Sequence, residues 1–150
     1  MKKIIAILVY FFLVPLSFQA HALTFSQTEK NKEIVREFYQ AAINQKDIDA
    51  ASHYLSDHYI QHNPLVEDGP EGLAKFITFL LKNYPAAHSE IKKIFAEGDY
   101  VITHVHSRRE PHTRGRAIVD IFKLENSKIV EHWDVIQEIP EQAANSNGMF

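Results

Sequence analysis

The chain has 150 residues, with 16 Lys and Arg against 19 Asp and Glu, and it has no cysteine. Its length suits a single domain, and the missing cysteines exclude disulfides, thiolate metal sites and a thiol nucleophile. With a net charge of −3 and no basic run or patch, nucleic acid is not an expected partner.

Residues 1–22 read as a leader. Lys2 and Lys3 precede an apolar run from Ile4 to Leu16, and Ala20 and Ala22 are small residues on either side of His21. That order is a secretory signal, with cleavage predicted after Ala22. The apolar run is shorter than the roughly 20 residues that span a bilayer, so no membrane partner is expected after cleavage. The mature protein is then expected to be periplasmic or secreted, with residues 23–140 as the domain. Residues 141–150, rich in Ala, Asn, Ser and Gly, read as a flexible tail.

The first half of the domain reads as helices. Ser26 and Glu29 fit a capping box. Ile34, Val35, Phe38, Tyr39, Ala42 and Ile43 then recur at three- and four-residue spacing, the mark of an amphipathic helix. Asp47 caps a shorter helix carrying Ile48, Ala51 and Leu55. "YIQHNP", residues 59–64, reads as an edge strand running into a turn, or as the rim of a pocket. A third helix follows "EDGPEG", with Pro70 in its first turn and Leu73, Phe76, Ile77, Leu80 and Leu81 as its inner stripe.

The second half reads as strands. Two extended runs over 88–108 meet at Glu97–Gly98–Asp99, and two more over 115–139 meet at Asn126–Ser127. Helices followed by strands point to an α+β domain, with helices on one face of a curved antiparallel sheet.

One residue breaks the strand pattern. Asp120 stands among Ile118, Val119, Ile121 and Phe122, where apolar side chains are expected. A lone aspartate on a strand is commonly solvated or tied to an arginine, here Arg108 or Arg116. The alternative is a carboxylate held in a cavity. Side chains alternate along a strand. A two-residue turn at Asn126–Ser127 therefore sets Asp120 and Phe122 beside Trp133, with His132 and Asp134 on the reverse face. A bulge would swap those faces. A turn centred on residue 112 brings His104 opposite Asp120, and a shift of two residues brings His106 there instead. An acid, an imidazole and an indole in an apolar setting suit proton transfer, with Tyr59 or His62 donating to a bound carbonyl. His104 and His106 with Asp120 also imitate a two-histidine, one-carboxylate metal set, although a strand H-x-H is a weak motif. No phosphate loop, nucleophile elbow or zincin motif is present.

The order of elements, with "YIQHNP" and "VDIFKLENSKIVEHWDVIQ" in their places, resembles the SnoaL-like polyketide cyclases of the NTF2-like superfamily. The similarity covers roughly residues 29–140. The resemblance implies a cone: a strongly bent antiparallel sheet wrapped round helices, enclosing a pocket. It also implies an aspartate acting as general acid/base in an aldol closure, without metal or cofactor. Asp120 matches that aspartate, and His104 matches the pocket histidine beside it. Tyr59, His62, Asn63, His106, Phe122 and Trp133 are the expected substrate-binding residues.

Three functions follow as expectations. One is an acid/base lyase or isomerase acting on a small hydrophobic carbonyl compound. A second is a binding protein for such a ligand, without turnover. A third is an interaction module that forms a homodimer through Val119, Ile121 and His132 on the outer sheet face.

Overall fold

The computed structural model describes residues 16–150, with side chains from Gln27 onward. Most of the expected leader, residues 1–22, therefore lies outside the described residues. Helix α1 (Leu16–Tyr39) runs unbroken through Ser26, so the capping box marks no helix start, and the cleavage point expected after Ala22 falls within its first turns. Among the described residues no helix is long and apolar enough to cross a membrane.

Helix α1 widens at its end into a π-helical turn, Gln40–Gln45, that buries Ala41 and Ala42. Lys46 closes it in the left-handed region, at φ 57°. Its ammonium donates to the backbone oxygen of Ala87 at 2.8 Å, tying the helix end to the start of the sheet. Asp47 caps α2 (Ile48–Ser52), its carboxylate accepting from the Ala50 amide. Helix α3 (Gly69–Asn83) starts with Pro70 in its first turn, as expected. Leu73, Ile77 and Leu80 form its buried stripe, whereas Leu81 is exposed. Leu81 lies one residue round from Leu80, about 100° away on the helix, which turns it from the sheet.

Strands β1 (Leu55–Gln61), β2 (His88–Glu97), β3 (Tyr100–Arg108), β4 (Arg116–Glu125) and β5 (Lys128–Glu138) form one sheet in the order β1-β5-β4-β3-β2. The last four are antiparallel neighbours, while β1 joins β5 in parallel, so the sheet is mixed. Asn126 and Ser127 both take positive φ, 51° and 63°, as the tight turn between β4 and β5 requires.

Register shifts interrupt β1, β2 and β5, and such irregularities add local bend and twist. The curved sheet wraps the helices around a core of Val35, Phe38, Val101, Val105, Phe122, Leu124 and Ile129. Phe38 and Tyr39 meet the Phe122 ring edge-on, at 6.0 and 6.1 Å between centroids. Burying a side chain of that size contributes roughly 1.5–3 kcal/mol.

Two registers differ from the expected ones, and they decide which residues share a face with Asp120. In the β3–β4 pair Thr103 faces Asp120, and His104 faces Val119. The connection is centred between residues 111 and 112, not on 112, and that half-step reverses parity. In the β4–β5 pair Leu124 faces Ile129 but Lys123 faces Glu131, leaving Val130 as an extra residue. That bulge sets Asp120 beside Asp134 and Phe122 beside His132.

Candidate functional site

Asp120 faces inward from the middle of β4 and is only 4% exposed. Its Oδ2 accepts from the Tyr39 hydroxyl at 2.7 Å and from the Thr103 hydroxyl at 3.0 Å. Its Oδ1 lies 3.1 Å from His132 Nε2. The three partners come from three elements: the last residue of α1, the facing position on β3, and the inner face of β5. No short sequence window holds this constellation. The sheet assembles it.

The role of His132 Nδ1 follows from the bonds around Gln61. Gln61 Nε2 donates to the Tyr59 hydroxyl oxygen at 2.8 Å, and the Asn63 amide donates to Gln61 Oε1 at 2.9 Å. These bonds orient the Gln61 amide, so its Oε1 accepts from His132 Nδ1, 2.9 Å away. An imidazole that donates from Nδ1 meets the Asp120 carboxyl through Nε2. That contact is a hydrogen bond only if one proton lies between the two atoms. A hydrogen bond between Asp120 and His132 therefore needs one proton between Nε2 and Oδ1.

The Asn63–Pro64 turn holds the other side of the site. Asn63 Nδ2 donates to Asp134 Oδ2 at 2.7 Å, and its Oδ1 accepts from the Leu65 amide at 2.8 Å. Asp68 accepts from the Gln61 amide at 2.8 Å, and backbone amides of Gln61 and Gly69 hold its carboxyl below the usual range. The turn and pocket-rim readings of this segment are thus the same arrangement.

Burial raises the Tyr39 hydroxyl well above its ordinary pKa, and the Asp120 carboxylate beside it raises it further. Tyr59 is raised as well, first by burial and then by Asp134 and Asp120. Both phenols stay protonated donors at neutral pH. Tyr59 accepts from Gln61, and among the described residues nothing accepts its own hydrogen.

These shifts predict an alkaline weakness. An unfolded tyrosine ionises near pH 10, and below that pH both states keep the proton. Above it the unfolded chain releases protons that the folded chain retains. Stability should then fall by about 1.4 kcal/mol per pH unit for each buried phenol. Denaturant melts above about pH 10 test this, and Tyr39→Phe should make the fall shallower.

A cavity of about 420 Å³ opens beside Asp120, within the range of small-molecule sites. Its walls are mostly apolar, from Phe38, Ile43, Phe76, Phe79, Ile118 and Phe122. Tyr39, Tyr59, Asp120, His132 and Asp134 supply its polar groups. Asp120, His132 and Asp134 also offer one ligand atom each within 4.8 Å of one another, the geometry of a possible cation site. A cation bound there would displace the proton between Nε2 and Oδ1.

Of the residues expected from the sequence, the structure brings Asp120, Tyr59, Asn63 and Phe122 to this cavity. It places four others elsewhere. His104 and His106 lie on the outer face because of the parity reversal, their rings against Phe150 at 5.1 and 4.7 Å. They cannot partner Asp120 in acid/base work or in a metal set. Trp133 is turned outward by the bulge and stacks on His62 at 4.4 Å, and His62 pairs with Glu131. His132 in turn leaves the outer patch expected with Val119 and Ile121.

Sequence reasoning missed Tyr39, Gln61, Thr103, His132 and Asp134 as site residues. A signal existed for two of them. Tyr39 stood on the apolar stripe of α1, and a buried phenol needs a partner for its hydroxyl. Thr103 stood between Val101 and Val105 on the less polar side of β3.

The SnoaL-like domain profile matches residues 35–132, well over half of the chain. Among solved structures, TsrD from Streptomyces laurentii is similar at 23% identity, with a TM-score of 0.61, over 72% of this chain and 88% of that one. A candidate polyketide cyclase from Bacillus cereus is 19% identical with a TM-score of 0.63, over 71% of this chain and 74% of its own. A candidate ketosteroid isomerase from Kribbella flavida is 13% identical with a TM-score of 0.64, over 79% and 85%. At these identities the likeness is one of fold. No curated protein matches the chain. The profile match, on helices followed by a curved sheet around a pocket, shows that the chain belongs to the SnoaL-like family, with the NTF2-like fold.

Proposed function

We propose that this protein is an acid/base enzyme of the aldol cyclase, isomerase or lyase type, acting on a small, mostly apolar carbonyl compound. The observation that carries the reading is the 3.1 Å contact between Asp120 Oδ1 and His132 Nε2, at the wall of an apolar cavity. With Nε2–H donating to it, the Asp120 carboxylate is the base that takes a hydrogen alpha to a carbonyl, and the carboxylic acid so formed returns that proton. As the C–H bond breaks, its electrons pass to the carbonyl oxygen, where the Tyr59 hydroxyl is available to donate. Tyr39 and Thr103 hold the carboxylate in place throughout. Such positioned proton transfer accelerates reactions by typically about 10²–10⁴.

A second reading is a binding protein for a hydrophobic carbonyl compound, favoured by the fact that every Asp120 bond is made within the protein. Deuterium exchange separates the two. In heavy water the protein should speed exchange of the methyl hydrogens of 2-acetylnaphthalene above the buffer rate, read by mass spectrometry. Asp120→Asn should return it to that rate. Exchange at the buffer rate in the unmodified protein would leave only binding.

A further inference from the structure

The cavity has a second polar end. Arg109, just past β3, and Arg116, at the start of β4, both line it. Arg109 lies over the rings of Tyr84 and Phe79, with its guanidinium carbon 5.0 and 5.9 Å from their centroids. Its Nε is buried and makes no hydrogen bond. Among the described residues Arg109 has no ion pair. Arg116 has one, a loose contact of 3.8 Å to Glu138, whose side chain is 79% exposed. Burial lowers the pKa of Arg116, and the charge of Arg109 nearby adds to that. Two cations therefore share a mostly apolar cavity with no carboxylate firmly bound to either.

Exposed arginines need no explanation. Half-buried ones do, because a guanidinium taken from water costs free energy unless an anion or hydrogen-bond acceptors replace the lost hydration. Stacking on Tyr84 and Phe79 offsets part of that cost and holds the Arg109 plane in a fixed orientation. The remaining donors suit a planar carboxylate, which paired guanidinium donors grip at two oxygens. Asp134, which also lines the cavity, is held by Asn63 on the β1 side. Arg116 and Asp120 are four residues apart on the inner face of β4, roughly 13 Å along the strand.

We infer that the ligand of this cavity is an amphipathic anion: an apolar body with a carboxylate on Arg109 and Arg116, and its reactive end at Asp120. This deepens the functional reading above and rests on it only in taking this cavity as the ligand site. Arg109 and Arg116 act here as specificity residues; the proton chemistry lies at the other end.

The test compares two probes of one shape, 2-naphthoate and its neutral amide, 2-naphthamide, titrated into the full chain by calorimetry. Naphthoate should bind roughly tenfold or more tightly than the amide, because charge-assisted bonds exceed neutral ones. Added salt should weaken naphthoate alone. The double variant Arg109→Gln, Arg116→Gln should remove the preference while naphthamide still binds, which also reports that the cavity is intact. The Lys variants at both positions, which keep the charge, should retain part of it. Equal affinity for the two probes in the unmodified protein overturns the inference. So does a preference that survives the Gln variant, or a lack of detectable naphthoate binding. Asp120→Asn should keep the naphthoate preference, so failure of the proton chemistry and failure of the anion site are read separately.

Discussion

Asp120→Asn is expected to leave the protein folded and to remove its chemistry. The amide oxygen can accept from Tyr39 and Thr103 as the carboxylate does. The amide nitrogen can donate to Nε2 of a neutral His132, whose Nδ1 keeps its bond to Gln61. Every buried partner stays satisfied, so stability should change by less than about 1 kcal/mol. The proton shared with His132 is gone, however, because the amide hydrogen does not dissociate. Turnover of a substrate should fall by about 10²–10⁴. Denaturant melts together with the exchange assay check both halves. Full activity in a folded Asp120→Asn protein would contradict the assignment of the acid/base to Asp120.

Asp120→Leu should do the opposite to the fold. Leucine accepts no hydrogen bond, so the hydroxyls of Tyr39 and Thr103 and the Nε2 atom of His132 all lose their partner. Tyr39 and Thr103 are 7% and 0% exposed, so little water reaches them in compensation. Each orphaned buried group costs about 1–3 kcal/mol, and the cavity side admits some relief. A loss of about 2–5 kcal/mol is expected, a large share of a small domain's stability. A chemical melt measures it, and a Leu variant as stable as the Asn variant would show that the hydroxyls find other partners. The contrast matters because both variants abolish the proton, and only one disturbs the network around it.

The helices and hairpins were legible because their signals are local. Asp47 capping α2, Pro70 opening α3 and the turns at Gly98 and Asn126–Ser127 each depend on a few neighbouring residues. Asp120 was legible as well, since a carboxylate inside an apolar strand demands an explanation. Its partners were not, because they depend on register. One residue of difference in the β3–β4 connection exchanged His104 for Thr103. One extra residue, Val130, exchanged Trp133 for His132. Each shift turns a whole strand over, so a correct strand assignment still produced the wrong neighbours. The alternation of Val101, Thr103 and Val105 pointed the right way on β3; a turn centred on residue 112 pointed the other way. An imidazole does lie there, supplied by β5. Nothing local in "KIVEHW" announces the bulge that turns it inward.

The account depends on where one proton sits, and nitrogen-detected magnetic resonance of the His132 ring reads that directly. His132→Gln identifies its signals among the nine histidines. The expected result is a protonated Nδ1, together with an Nε2 whose shift reports a proton shared with Asp120. In Asp120→Asn, Nε2 should move to the value of a bare nitrogen while Nδ1 stays protonated. A bare Nδ1 in the unmodified protein, or an Nε2 signal indifferent to Asp120→Asn, would contradict the shared proton and the chemistry built on it.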